Sequence, residues 1–257
     1  MKIQIVSDLH LEFLNTDQVE ELADRISYNT RAETLILAGD ICSWSEKRIK
    51  NLYLFLDILV DRYHEIIYVL GNHEYYGSSY NEVKFFKWKV ERNRPNLFIL
   101  ENQYQVTESS INESDSVTVY GTTLWFEETV EAQLLKYNLN DYRCIQDFDP
   151  DAWSRKAIQF IKNIPDDESK KVLITHHVPH SRFISEKYVG NDMNCFYLNE
   201  IGKYLDKFNL VIFGHSHESV DYQFSDRCRA ISNPRGYLDS PNKGSNDKFQ
   251  YQLIVEV

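Results

Sequence analysis

Cysteine is scarce in this 257-residue sequence: Cys42, Cys144, Cys195 and Cys228 are widely spaced and form no Cys-x-x-Cys pair. That argues against a sulfur-rich zinc site and leaves no disulfide framework. No window approaches membrane-spanning length, and the opening "MKIQIVSDLHLEF" has no apolar signal core. These two absences predict no membrane association and a cytoplasmic, reducing location. Positive charge is also short: 28 Lys and Arg face 39 Asp and Glu, for a formal net charge of −11. A nucleic-acid backbone rewards clustered Lys and Arg, so nucleic acid enters only as a substrate. Internal repeats and low-complexity segments are absent too.

What is present is a globular composition, 42% hydrophobic and 26% charged, in a chain long enough to bury a full core. Near-continuous apolar runs recur at 2–8, 33–40, 65–72, 96–102, 117–125, 171–177 and 210–217, and those at 229–234 and 249–257 close the chain. Runs of this kind suit strands covered on both faces. Helical patterns fill the gaps. Thr16 is the expected N-cap of a helix with the stripe Val19, Leu22, Ala23 and Ile26; residues 45–64 repeat Ile49, Leu52, Leu56 and Leu59; Pro150 after Asp149 marks a third start. Alternating strands and helices make the class α/β, expected as one domain over 1–257 with a mixed sheet or a two-sheet sandwich under outer helices. Residues 122–165 read as a mostly helical insertion, either a lid over the site or cover for a sheet. The polar stretch "DSPNKGSND", 239–247, reads as a hairpin connection before the last strand.

The informative residues stand at strand ends. The first run ends "SDLH", the second "GDIC", the third "GNHE", the sixth "THH" and the seventh "GHSH". In open α/β sheets, ligands bind beyond the carboxyl ends of the strands. Asp40 follows Asp8 by 32 positions and Asn72 follows Asp40 by 32, each about one strand–helix–strand unit of some 30 residues. Parallel strands therefore carry all three to one edge. Six of the eight histidines (His10, His73, His176, His177, His215 and His217) lie at these ends, a clustering that packing does not explain. Carboxylate, imidazole and amide oxygen without thiolate point away from calcium, magnesium and structural zinc sites. They point towards first-row transition ions such as Mn, Fe or Zn. Seven donors are too many for one ion and suit two, with one carboxylate bridging.

Singly, "DLH" and "GD" are weak signals, and "GNHE" and "GHSH" moderate ones. In this order, each ending a strand, the set resembles the five blocks of the calcineurin-like metallophosphoesterase superfamily, from Asp8 to His217. The resemblance implies a four-layer αββα sandwich of two mixed sheets flanked by helices, with two divalent ions at the strand ends. It assigns Asp8, His10 and His217 to one ion, Asp40 to the bridge, and Asn72, His176 and His215 to the second. His176 is taken as the position matching the family ligand, which leaves His177 a supporting or substrate-contacting role. His73 matches the catalytic histidine; with Asp40 it is expected to serve hydrolysis of a phosphomonoester or phosphodiester by attack of a metal hydroxide. "DLHL" and "GDICSW" depart from the protein Ser/Thr phosphatase pattern. The likeness is closer to small bacterial and phage-type members carrying the blocks "NDYR" (140–143) and "NPRGY" (233–237).

Arg143 and Arg235, in those two blocks, are the expected holders of substrate phosphate, because guanidinium matches its oxygens bidentately. The structural alternatives are a salt bridge for Arg143 and a turn set by Pro234 and Gly236 for Arg235. Glu74 is expected to orient a histidine. Two other functions stand beside the phosphoesterase. One is a nuclease on single strands or ends, with "YYGSSYNEVKFFKWK" stacking bases; the same stretch also reads as an amphipathic helix burying Phe85, Phe86 and Trp88. The other is a non-catalytic metal-binding scaffold, which typically loses ligands that are all present here.

Overall fold

The computed structural model describes residues 1–45, 48–108, 116–237 and 245–257. In chain order it contains β1 (Lys2–Val6), α1 (Thr16–Ser27), β2 (Thr34–Ala38), α2 (Ile49–Leu59), β3 (Glu65–Val69), α3 (Tyr80–Glu91) and β4 (Leu97–Leu100). There follow β5 (Gln103–Glu108), β6 (Ser116–Thr122), α4 (Val130–Leu135), α5 (Asp141–Cys144), α6 (Pro150–Asn163), β7 (Lys171–Thr175), β8 (Leu210–Phe213), β9 (Val220–Gln223), β10 (Arg229–Ser232) and β11 (Ile254–Glu256). Two mixed sheets result, ordered β11-β1-β2-β3-β4 and β5-β6-β7-β8-β10-β9. In the first only β11 runs antiparallel, and in the second only the edge strands β5 and β9 do.

The continuous apolar runs have a simple cause. Successive side chains of a strand face opposite ways, and both faces of both sheets are covered. Ile3, Ile5, Ile36 and Ile67 of the first sheet meet Val119, Val172, Ile174 and Ile212 of the second. Outside the first sheet, Val6, Leu35, Leu37 and Tyr68 pack under α1 and α2. Outside the second, Leu173, Val211 and Phe213 pack under Ala157 and Ile161 of α6. Each such side chain contributes about 1.5–3 kcal/mol when fully buried. The layers are helix, sheet, sheet, helix, as the sequence resemblance implies.

Several expectations shift in detail. Thr16 is the first helical residue of α1; the cap is Asn15, whose side chain accepts from Gln18 N while Gln18 answers in a capping box. Asp149 does cap α6, with Pro150 in its first turn. The edge strands β5 and β9 have no counterpart among the apolar runs, because mostly polar residues face solvent there. The stretch around Phe85 forms α3 with Val83 and Val90 buried; of the three expected rings only Phe86 packs against the core, while Phe85 and Trp88 are 54% and 53% exposed. Of the polar stretch 239–247, residues 239–244 lie outside the described residues. Among the described residues, no helix is long and apolar enough to cross a membrane.

Candidate metal centre

Parallel pairing carries the expected residues to one edge. β1, β2 and β3 are in parallel register, Val6 beside Leu37 and Ala38 beside Val69, so Asp8, Asp40 and Asn72 leave the sheet together. β7 and β8 do the same for His176 and Gly214 in the second sheet. The sheets are tied at this edge: His215 N donates to Asp8 Oδ1 at 3.0 Å, and His176 Nδ1 lies 3.0 Å from Ala38 O.

Two side-chain groups form there, and Asp40 touches both. In one, His10 Nε2 is 3.1 Å from His217 Nε2, and His217 Nε2 is 3.4 Å from Asp8 Oδ1. Asp40 Oδ2 is 3.9 Å from His10 Nε2. In the other, His176 Nε2 is 3.3 Å from Asp40 Oδ1, 3.1 Å from Asn72 Oδ1 and 3.2 Å from His215 Nδ1. The donor atoms of Asp8, His10 and His217, and those of Asp40, His176 and His215, each lie within 4.8 Å of one another. Ring nitrogens set against each other this closely share at most one proton per pair. Such an excess of lone pairs fits divalent cations.

Electrostatics favour the ligand forms. Burial alone raises a carboxyl's pKa, but the His217 hydrogen bond and charge outweigh it for Asp8 and the His176 and His73 charges for Asp40, so both are held ionised. Burial pushes His10 and His215 down, towards the neutral imidazole that binds metal. His176 is the exception: burial is overcome by Asp40, and its pKa rises to about 10.

The backbone bends sharply at these positions. Asp8, His10, Asp40, His215 and His217 all have φ between 50° and 68°, a left-handed conformation costing on the order of 1–3 kcal/mol each outside glycine. Close approach explains two of the block glycines. A Cβ at Gly214 would lie 2.5 Å from Asp8 Oδ2, and one at Gly71 would fall onto Asp40 Oδ1, 2.5 Å from Asp40 N and 2.8 Å from His176 Cε1. Gly71→Ala is therefore expected to lower stability by about 1–3 kcal/mol through overpacking. Chemical denaturation checks this, and an unchanged midpoint contradicts it.

Other residues of the site escaped sequence reasoning. Glu12 has its side chain buried, with Oε1 2.8 Å from His73 Nδ1 and 3.4 Å from His10 Nδ1, and Oε2 accepts from Ser43 N. Burial is outweighed by its hydrogen bonds to the two histidines, and its pKa falls to about 2. The same contact, with Asp40, overcomes burial at His73 and raises that pKa to about 9. The Tyr76 ring stacks on His73 at 4.3 Å, and the Tyr237 hydroxyl is 3.3 Å from His73 Nε2. Glu74 orients no histidine. Its carboxylate accepts from the backbone N–H of Asp40, Ile41, Cys42 and Gly71 and from the Tyr68 hydroxyl, locking the "GD" and "GNHE" loops together.

The three residues expected at the substrate make other contacts among the described residues. Arg143 is exposed and donates to Asn140 Oδ1. Arg235 donates to Leu9 O; its block instead delivers Tyr237. His177 is fully buried against Trp125, Phe126 and the His215 ring, with Nδ1 3.2 Å from Thr123 O. None of the three lines the cavity of about 580 Å³ that opens over Asp40, Asn72 and His73. Tyr188, Asn194 and Tyr197, from the connection between β7 and β8, form part of its wall.

The architecture is shared with known proteins. A phosphopantetheinyl hydrolase from Mycobacterium tuberculosis superposes with a TM-score of 0.69, at 16% identity, over 92% of this chain and 89% of its own. A dimetal phosphatase from Danio rerio gives 0.58 at 13% identity, over 94% and 89%. In sequence, the uncharacterized protein L509 of Acanthamoeba polyphaga mimivirus is 26% identical over 292 aligned positions, covering 99% of this chain and 98% of that protein. The family model for calcineurin-like phosphoesterases matches residues 1–219, and the chain belongs to that family.

Proposed function

We propose that the chain is a binuclear metal-dependent phosphoesterase acting on a small phosphomonoester or phosphodiester. The observation that carries this reading is Asp40, whose Oδ2 faces His10 and Oδ1 faces His176. One carboxylate thus serves two nitrogen-rich groups. Asp8, His10 and His217 would hold one ion, Asn72, His176 and His215 the other, with Asp40 between them. Bound there, two ions of the Mn, Fe or Zn type supply Lewis acidity that neutralises phosphoryl charge and acidifies a water.

The chain's own residues do the rest. Glu12 accepts from His73 Nδ1 and leaves Nε2 pointing to the cavity beside Tyr237. Against burial, the Asp40 and Glu12 carboxylates favour the protonated imidazole, and His73 is the group placed to carry a proton at Nε2. It donates that proton to a phosphoryl or leaving-group oxygen as negative charge builds there. The organic part of the ester would lie against the cavity wall that Tyr188, Asn194 and Tyr197 help to form. A nuclease reading keeps one support, the exposed Phe85–Trp88 stack with Lys89 and Arg92 over its rings. Cleavage of an aryl phosphate without cleavage of oligonucleotides under the same conditions rejects it.

Asp40→Ala or Asn72→Ala is expected to lower p-nitrophenyl phosphate hydrolysis on the order of 10³-fold or more. Chelation should do the same to the wild type, with Mn²⁺ restoring it. Full activity in a metal-stripped Asp40→Ala protein overturns the proposal.

A further inference from the structure

α5 is a single turn in the 122–165 segment, yet its first residue, Asp141, is completely buried and reaches the centre. Asn72 Nδ2 donates to Asp141 Oδ1 at 2.9 Å and to the Tyr76 hydroxyl oxygen at 3.0 Å; that hydroxyl donates to the same Oδ1 at 2.6 Å. A carboxamide has one donor end and one acceptor end. With both N–H bonds spent on Asp141 and Tyr76, the Asn72 oxygen faces His176 Nε2, 3.1 Å away. The opposite rotamer would press oxygen against a carboxylate and turn N–H groups towards the cation site, so it is excluded on charge. The tyrosine held by this carboxylate is also the one whose ring lies flat against His73, 4.3 Å between centroids at 29°.

We propose that Asp141 is a positioning residue: it fixes the Asn72 amide with its oxygen inward and anchors Tyr76 behind His73. The "NDYR" block thus serves the site through its aspartate. The 122–165 segment then does more than cover a sheet, since it supplies the carboxylate behind one metal site. This rests on the reading that Asn72 holds an ion, and its consequence for metal binding is confined to the Asn72 side of the centre.

The test is calorimetric titration of metal-stripped protein with Mn²⁺, with elemental analysis after desalting and circular dichroism as the check of folding. Asp141→Ala is expected to weaken one of the two equivalents, that at Asn72, His176 and His215, about 10–100-fold and leave the other, at Asp8, His10 and His217, close to wild type. Asp141→Asn retains an acceptor oxygen in the same shape and should recover most of the loss. Asp141→Leu, which fills the space without an acceptor, should reproduce it even where the alanine variant folds poorly. Wild-type affinity for both equivalents in Asp141→Ala or Asp141→Leu, while Asn72→Ala loses one, overturns the positioning role alone. Retention of both equivalents in Asn72→Ala overturns the ligand assignment and this role with it.

Discussion

Glu74→Ala is expected to cost about 4 kcal/mol of stability or more. The side chain is 0% exposed and accepts five hydrogen bonds: from Gly71 N at 2.6 Å, Ile41 N at 2.7 Å, Asp40 N at 3.1 Å, Cys42 N at 3.3 Å and the Tyr68 hydroxyl at 2.6 Å. Truncation leaves four buried N–H groups and one hydroxyl without an acceptor. Each unsatisfied group costs about 1–3 kcal/mol, and water entering the vacated space offsets part of the sum. For a chain of this length the loss corresponds to a melting temperature lower by roughly 8–16 °C. Glu74→Gln keeps one acceptor oxygen and should lose less. The functional consequence follows from what Glu74 ties together, since Asp40 and Asn72 stand on the two loops it joins. Thermal and chemical denaturation of the two variants check the prediction, and a shift under about 2 °C for Glu74→Ala contradicts it.

Glu12→Gln is expected to leave the fold intact, lower kcat/KM about 10²-fold, and move the alkaline limb of the pH–rate profile to lower pH. Glutamine Oε1 still accepts from His73 Nδ1, so that contact is retained; the charge is lost, and the amide NH2 replaces the oxygen that accepts from Ser43 N. Burial disfavours the protonated imidazole, whereas Asp40 and Glu12 favour it more strongly and bring the pKa to about 9. His73 is thus raised above its ordinary value near 6.5. Protonation is complete below that value and is lost as pH rises through about 9. Without the Glu12 charge the proton leaves earlier, so a rate that requires protonated His73 falls at lower pH. Superimposable alkaline limbs for wild type and Glu12→Gln contradict this role for the glutamate.

What the sequence reveals divides along a physical line. Asp8, Asp40 and Asn72 are readable because a strand–helix–strand unit has nearly constant length, so equal spacing places side chains on one sheet edge. His176, His215 and His217 are readable because they end apolar runs where a buried strand has no reason to carry imidazoles. The groups that orient these residues leave no such mark. Glu12 meets His73 across 61 positions, Asp141 meets Asn72 across 69, and Tyr237 meets His73 across 164. Each is an ordinary polar or aromatic residue in a loop or a single helical turn. The blocks "NDYR" and "NPRGY" do flag the right places, but the contacts come from the neighbours of their arginines, buried Asp141 and half-buried Tyr237. The same division holds for the fold: covered strands announce themselves as apolar runs, whereas β5 and β9 are polar edges and stay silent. α3 shows the limit of composition, since it buries Val83 and Val90 and leaves Phe85 and Trp88 largely in solvent.

The binuclear centre is tested most directly by anomalous diffraction from crystals of the protein equilibrated with Mn²⁺. The assignment predicts two peaks flanking Asp40, one within bonding distance of Asp8, His10 and His217 and the other of Asn72, His176 and His215. No peak at Asp40, or a single ion held away from it, would contradict it.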